Sequence, residues 1–184
     1  MLIDTPNFQF PIPNSPNMTN NPETAANSNG PLNIMPLGDS ITDGYFVPGG
    51  YRINLWHHLT NRNYPINFVG SQSNGPDLLP SKAHEGHSGW RIEEIHRMSS
   101  IWLKQFQPDI ILLMIGTNDM VQRYGVAKAP ERLSQLVDDI FGQLPQVQLF
   151  LASIPPIGEP LLNQLVIKYN QAIADQVKQR QAQG

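Results

Sequence analysis

Three short turns in this 184-residue sequence each follow an apolar run and carry residue types suited to acyl transfer. The first spans residues 38–44 and contains Ser40, the second begins at Gly70, and the third contains Gly116 and Asn118. A serine hydroxyl held on a strand-to-helix turn can act as a nucleophile. Backbone N–H groups and an amide side chain can bind the oxyanion that develops when such a serine attacks an ester.

Ser40 is therefore the predicted nucleophile, and its backbone N–H, that of Gly70 and the Asn118 side-chain amide are the predicted oxyanion donors. Each donor can contribute roughly 3 kcal/mol in the transition state. Glycine at positions 70 and 116 would let the backbone approach a substrate closely. Each turn alone is a weak signal, because Asp39 and Ser40 could simply cap the next helix and Asn118-Asp119 could form an Asx-turn pair, which is the favoured interpretation of Asp119. The three turns in this order are far more specific.

The turns lie within an alternation of strand and helix patterns. Strand patterns occupy residues 32–37, 66–70, 109–115 and 147–152, and helical patterns occupy residues 50–62, 91–106, 133–144 and 161–179. This alternation predicts an α/β fold with a parallel sheet covered by helices on both faces. Ligands bind beyond the carboxyl ends of such strands, where the three turns would meet. The polar segment between residue 71 and Trp90 is predicted to be a loop.

Composition excludes several classes of protein. The 12 basic and 15 acidic residues give a net charge of −3, without the basic excess expected of a nucleic-acid binder. The chain has no cysteine, and no apolar run approaches the ~20 residues that span a bilayer. Residues 1–30 contain five prolines and seven asparagines, which predicts a disordered tail before a domain over residues 31–184. An ordinary secretion leader is not predicted, because the first basic residue is Arg52.

Residues 32–184 resemble the SGNH hydrolases of the GDSL esterase group, through Gly38-Asp39-Ser40-Ile41-Thr42-Asp43-Gly44, Gly70 and Gly116-Thr117-Asn118-Asp119. The resemblance implies a flavodoxin-like three-layer α/β/α sandwich of strand order 2-1-3-4-5. It also implies the roles given above to Ser40, Gly70 and Asn118. Residues 68–71 (Phe-Val-Gly-Ser) and 84–90 (His-Glu-Gly-His-Ser-Gly-Trp) are most similar to carbohydrate esterase family three, mostly acetylxylan esterases. The implied substrate is a small acyl ester or an acetylated carbohydrate, and no cofactor or metal is needed.

The family takes its catalytic histidine from an Asp-x-x-His motif that follows a fifth strand. No histidine of this chain has an aspartate three residues before it; the five are His57, His58, His84, His87 and His96. We therefore expect a domain that lacks the fifth strand and the base, and a chain with weak or no turnover.

His84 and His87 lie in the predicted loop after the second strand and leave alternatives open. They could form a metal pair, or one could replace the missing base with Glu85 or Asp77 as its orienting carboxylate. The favoured interpretation gives both a structural role, or makes them a substrate-facing wall.

In that reading Trp90 is a sugar-stacking platform, and Asp39, Gly116, His87 and Trp90 form the predicted substrate-binding set. Lysophospholipase or thioesterase activity, a non-catalytic carbohydrate-binding remnant, and a fragment without independent function remain as alternatives. The sequence makes no prediction of oligomeric state or compartment.

Overall fold

The computed structural model describes residues 30–182, so the tail predicted over residues 1–30 lies almost wholly outside the described residues. The strands are β1 (Leu32–Gly38), β2 (Ile66–Phe68), β3 (Gln72–Ser73), β4 (Ala83–Gly86), β5 (Ile110–Met114) and β6 (Gln148–Leu151). The helices are α1 (Ser40–Asp43), α2 (Tyr51–Thr60), α3 (Ile92–Phe106), α4 (Thr117–Val121), α5 (Ala129–Gln143) and α6 (Pro160–Ala182). Within the described part, no helix is long and apolar enough to cross a membrane.

The predicted α/β class is confirmed, with β1 at the centre of a parallel sheet. β1 pairs with β5 on one side, and β5 pairs in turn with β6. On its other side β1 pairs first with β2 and then, at its last two residues, with β4. The four strands predicted from the sequence therefore have the spatial order 2-1-3-4. Among residues 30–182, no strand pairs with the outer edge of β6.

The loop predicted between residue 71 and Trp90 is wrong in part, because it contains β3 and β4, which pair with each other antiparallel. β4 has the sequence Ala-His-Glu-Gly, which lacks the apolar residues of a buried strand. Its His84 and Glu85 are nevertheless fully buried. Buried polar side chains are tolerated where they find hydrogen-bond partners, and Glu85 does so in residues that are distant in sequence.

Helices cover both faces of the sheet. Ile111 and Leu113 of β5 face a large core that also contains residues of α3, α5 and α6. Ile110 and Leu112 point to the opposite face, where α2 packs over a smaller core that includes Phe68. This alternation is what a strand covered on both sides requires, and it explains why β5 is apolar at every position.

The register of the sheet brings the functional turns together. Gly38 at the end of β1 lies beside Gly86 at the end of β4 and beside Met114 at the end of β5. The turns that follow these strands therefore leave the same edge of the sheet. They carry Ser40 and Asn118, and Gly70 lies against β4 at the same edge.

Candidate active site

Ser40 is the first residue of the four-residue helix α1, which begins directly after β1. Asp39 is its N-cap, and the carboxylate Oδ1 accepts a hydrogen bond of 3.0 Å from the backbone N–H of Ile41. The helix ends at Gly44, whose φ of 79° is the left-handed conformation that glycine adopts without strain. Ser40 is half-buried, and within residues 30–182 its hydroxyl makes no hydrogen bond. Ser40, the nucleophile predicted from the sequence, therefore lies at the start of α1 with a hydroxyl that is not hydrogen-bonded within this range.

Asp39 is completely buried, so its carboxyl is placed inside the protein and not at a substrate-facing surface as predicted. Burial raises its pKa from 3.8 to about 6, although the hydrogen bond from the N–H of Ile41 partly opposes that rise. Because the Asp39 carboxylate caps the N-terminus of α1, it fixes the direction in which the chain turns from β1 into the helix that begins at Ser40. The structure therefore gives Asp39 a positioning role.

Gly70 lies against β4, with a φ of 153°. A Cβ at this position would lie 2.2 Å from the carbonyl of His84, so only glycine fits. The close approach that the glycine permits is thus to β4, whereas the sequence suggested an approach to substrate. Within the described part of the chain, the backbone N–H groups of Gly70 and Ser40 donate to no acceptor. Both remain available to an oxyanion.

Asn118 belongs to α4, and its side-chain Nδ2 donates a hydrogen bond of 2.8 Å to the carbonyl oxygen of Trp90. An amide nitrogen has two N–H groups, so one remains for an oxyanion. Gly116, which caps this helix, has a φ of 123°, and a Cβ there would lie 2.5 Å from the ring of Tyr169. Gly116 is buried, so the structure explains this glycine by the packing of Tyr169 and not by the substrate contact predicted for it.

Asp119 ties the turn that carries Asn118 to two longer helices. Its carboxylate accepts hydrogen bonds from the backbone N–H of Ile92 at 3.0 Å and from the guanidinium of Arg132 at 2.7 Å. Burial raises its pKa, and the Arg132 side chain opposes that rise. Asp119 is therefore a buried link from α4 to α3 and α5 and not part of a local Asx-turn.

None of the five histidines of the chain, all within residues 30–182, hydrogen-bonds to Ser40. His57 and His58 are exposed on α2, and His96 pairs with Asp139 at 2.6 Å. The buried Nδ1 of His84 accepts from the N–H of Gly86 at 3.1 Å. Burial, assisted by the charge of Arg52, lowers the pKa of His84 from 6.5 to about 4, so its ring is neutral at physiological pH.

His87 pairs with Glu85, the carboxylate considered for the replacement-base alternative, at an Nε2–Oε1 distance of 2.6 Å. Its ring also stacks near-parallel on Trp90 and Trp102, with centroid distances of 4.3 and 4.8 Å. Asp77, the other carboxylate considered, pairs with Lys82 at 3.1 Å. In the described range there is no group of three or more histidine and carboxylate residues that could hold a metal ion.

Sequence reasoning missed Arg52, which is completely buried. Its guanidinium donates to the backbone carbonyls of Thr42, Asp43, Asn74 and Lys82. It thereby ties the end of α1 to both ends of the connection between β3 and β4. No pattern in the sequence indicates this role, because an arginine on a helix is typical of a solvent-exposed position.

Residues 37–183 match the sequence profile of the GDSL-like lipase/acylhydrolase family, and the chain belongs to that family. The resemblance drawn from the three turns is thereby confirmed. The predicted class of enzyme, a carboxylic ester hydrolase, is also confirmed at the level of the family.

Several similar proteins are esterases, and two of the similar structures are carbohydrate esterases. The chain is 33% identical over 171 residues to a multidomain esterase of Ruminococcus flavefaciens, covering 78% of this chain and only 22% of that protein. A Clostridium thermocellum family 3 carbohydrate esterase has a similar structure, with a TM-score of 0.75 and 39% identity over 83% of this chain and 74% of that one. A family 3 carbohydrate esterase from Talaromyces cellulolyticus gives a TM-score of 0.69 and 26% identity, over 80% and 73% of the two chains.

Proposed function

We propose that this chain is a serine esterase for small acyl esters, with Ser40 as the nucleophile. The observation that carries the proposal is a set of unengaged groups at one edge of the sheet. The Ser40 hydroxyl has no hydrogen bond within residues 30–182, and neither do the N–H groups of Ser40 and Gly70. One N–H of Asn118 is also unused. A nucleophile and three such donors at the same edge of the sheet suit the needs of acyl transfer.

In the proposed reaction the Ser40 oxygen attacks the ester carbonyl carbon, and the electron pair of the C=O bond moves to the carbonyl oxygen. The Ser40, Gly70 and Asn118 N–H groups bind that oxyanion. When the C=O bond re-forms, the alcohol leaves with a proton and an acyl-serine remains. Water then attacks the acyl-serine by the same steps, releasing the acid and restoring the Ser40 hydroxyl.

Both steps need a base to take a proton from the attacking hydroxyl or water. Because no histidine of the chain hydrogen-bonds to Ser40, we propose that the 184-residue chain turns over slowly. Loss of the base in a serine hydrolase costs several orders of magnitude, and we propose that the slow remaining rate proceeds by attack of Ser40 with water as the proton acceptor.

We propose acetyl groups on polysaccharide as the substrate class. Two relatives named family 3 carbohydrate esterases support this choice. Trp90 is half-buried beside the Asn118 donor, and its ring forms a flat stack with His87. A flat aromatic surface of this kind suits the apolar face of a sugar ring. His87 and Trp90 therefore remain the proposed substrate-facing wall. Asp39 and Gly116 are buried and cap the helices α1 and α4, so we assign them a supporting role.

The test compares acetate release by the chain with that by two site variants and one control variant. We expect Ser40→Ala to reduce release to the buffer rate. We expect Asn118→Ala to lower it about 10²- to 10³-fold, the cost of losing one oxyanion donor. Gly142→Ala, on α5, serves as a control that leaves the rate unchanged. Activity that survives Ser40→Ala undiminished would exclude Ser40 as the nucleophile.

One surface feature favours longer acyl chains as a second candidate, as in a lysophospholipase or thioesterase. Tyr45, Phe46 and Val47 follow α1 directly and are 66%, 90% and 63% exposed. An apolar loop beside the nucleophile could contact an acyl chain. A series of esters from acetyl to decanoyl distinguishes the two candidates, because a rate that rises with chain length would favour the second.

The absence of a base contact also leaves a non-catalytic role as an alternative. In that case the pocket would bind acetylated oligosaccharide without cleaving it. Calorimetry that detects binding, combined with no acetate release dependent on Ser40, would support this alternative over the esterase.

A further inference from the structure

Glu85 is a buried carboxylate for which the proposed reaction has no direct use. It is completely buried, and its two oxygens accept three hydrogen bonds. The backbone N–H of Ser71 donates to Oε2 at 2.6 Å, and the Ser71 hydroxyl donates to Oε1 at 2.7 Å. His87 Nε2 lies 2.6 Å from Oε1. Burying a carboxylate is costly unless such bonds compensate, so its surroundings are closely specified.

One side of this network leads to the Gly70 oxyanion donor. Ser71 adjoins Gly70, and both its N–H and its hydroxyl bind the Glu85 carboxylate. Gly70 itself lies so close to β4 that a Cβ would lie 2.2 Å from the His84 carbonyl. The carboxylate thus holds the turn containing Gly70 against the strand that carries Glu85.

The other side of the network leads to the Asn118 donor. His87 bonds to Glu85 and stacks on Trp90 with a centroid distance of 4.3 Å and an interplanar angle of 20°. The carbonyl oxygen of Trp90 in turn accepts the hydrogen bond from Asn118 Nδ2. The contacts therefore run without a break from Glu85 through His87 and Trp90 to Asn118.

We propose that Glu85 is a positioning residue that holds the Gly70 and Asn118 donors in one fixed arrangement around Ser40. This inference rests on the proposed function, because it concerns the donors of that reaction. Gly70 and Asn118 lie on turns after different strands, so their spacing needs a link between the turns. Misplacing a catalytic group by about 1 Å can lower a rate ~10²-fold, which makes such a link valuable.

The test uses Glu85→Gln, which keeps the side-chain size but replaces one acceptor oxygen with an NH₂ group. That group cannot accept, so either the Ser71 N–H loses its acceptor or the Ser71 hydroxyl and His87 must reverse their roles and accept. We expect kcat for Ser40-dependent acetate release to fall about tenfold or more and KM to change less than kcat, because the His87 ring keeps its stack with Trp90 and Trp102 while the oxyanion donors move. Glu131→Gln, on the exposed first turn of α5, is the control and leaves both constants unchanged.

A second readout needs no turnover. In ¹⁵N NMR spectra, Glu85→Gln should shift both the Gly70 backbone amide and the Asn118 side-chain amide. Ser71→Ala should shift mainly the Gly70 amide. His87→Phe, which keeps an aromatic ring in the stack, should shift mainly the Asn118 amide.

A folded Glu85→Gln that leaves both resonances and kcat unchanged would overturn the proposal. If Glu85→Gln fails to fold, Ser71→Ala and His87→Phe test the proposal in its place. The proposal requires Ser71→Ala to shift the Gly70 amide and His87→Phe to shift the Asn118 amide. If the wild-type chain shows no Ser40-dependent release, the proposed function fails, and the NMR shifts still decide whether Glu85 links the two turns.

Discussion

The side-chain amide of Asn118 is held by the backbone carbonyl of Trp90, 2.8 Å away, and not by another side chain. The bond orients the amide nitrogen and leaves one of its N–H groups free. It also joins the turn after β5 to the segment after β4. The orientation of Asn118, a proposed oxyanion donor, therefore depends on the path of the backbone at Trp90.

Replacement of Asn118 by aspartate tests this relationship. Asn118→Asp would place a carboxylate oxygen against the Trp90 carbonyl, where neither atom can donate. We expect it to be less stable than Asn118→Ala at pH 7 by about 1–3 kcal/mol, the cost of an unsatisfied buried polar group. At pH 3.5 the difference should shrink, because a protonated carboxyl can donate. Urea denaturation at both pH values measures it, and equal stability of the two variants at pH 7 would contradict the bond.

Gly116 should tolerate no side chain. A Cβ would lie 2.5 Å from the ring of Tyr169, at a φ of 123° that strains any other residue. We expect Gly116→Ala to lower the free energy of unfolding by about 2 kcal/mol or more, because strain and overpacking add.

Gly142→Ala is the matched control for this substitution, since nothing lies within 4 Å of its Cβ position on α5. It should be neutral or stabilising by up to about 1 kcal/mol, as alanine favours helix. Similar losses for the two variants in thermal or urea denaturation would contradict the packing described.

Arg52 should matter for stability far more than an ordinary surface arginine. Arg52→Leu removes the guanidinium donor from the buried carbonyl of Thr42 and from the half-buried carbonyl of Asn74. We expect a loss of about 3 kcal/mol or more, since each unsatisfied carbonyl costs about 1–3 kcal/mol. Arg62→Leu, an exposed arginine just after α2, should cost less than about 0.5 kcal/mol. Comparable urea midpoints for the two variants would contradict this role.

Asp39 and His84 should give opposite dependences of stability on pH. Folding raises the pKa of Asp39 from 3.8 to about 6, so its contribution is present below pH 3.8 and is lost as the pH rises to 6. Folding lowers the pKa of His84 from 6.5 to about 4, so its contribution is present above pH 6.5 and is lost as the pH falls to 4. Each pKa shift changes the free energy of unfolding by about 3 kcal/mol across this pH range, and the two changes have opposite signs and nearly cancel.

Single replacements should reveal each contribution. Relative to the wild-type chain, Asp39→Asn should gain about 3 kcal/mol between pH 4 and pH 6, and His84→Gln should lose about 3 kcal/mol over the same range. Urea denaturation at half-unit steps of pH measures both differences. Differences that stay flat across this range would show that the two groups titrate alike in the folded and unfolded chains.

Much of the fold was predictable because its elements bury apolar faces. The strands β1, β5 and β6 and the helices α3 and α5 follow directly from apolar spacing. β4 could not be predicted in this way, because His84 and Glu85 are buried polar residues. Ser71, which hydrogen-bonds to Glu85, is 14 residues away in sequence and becomes its neighbour only after folding.

The residue types of the candidate site could be predicted from the sequence, but the structural roles of several of them could not. Ser40, Gly70 and Asn118 follow three strands whose carboxyl ends meet, so their proximity follows from the topology. The need for glycine at position 116 arises from Tyr169 on α6, which no local pattern could indicate. The burial of Asp39 likewise depends on the packing of the whole turn.

The most direct test of the account is chemical rescue by imidazole. Acetate release from an alkyl acetate is measured with increasing imidazole, which can supply the base that no histidine provides at Ser40. An alkyl ester is used because imidazole alone cleaves aryl acetates. We predict a slow basal rate that rises with imidazole in the wild-type chain and that is absent, with or without imidazole, in Ser40→Ala. Equal rates for the wild-type chain and Ser40→Ala at every imidazole concentration would contradict catalysis by Ser40.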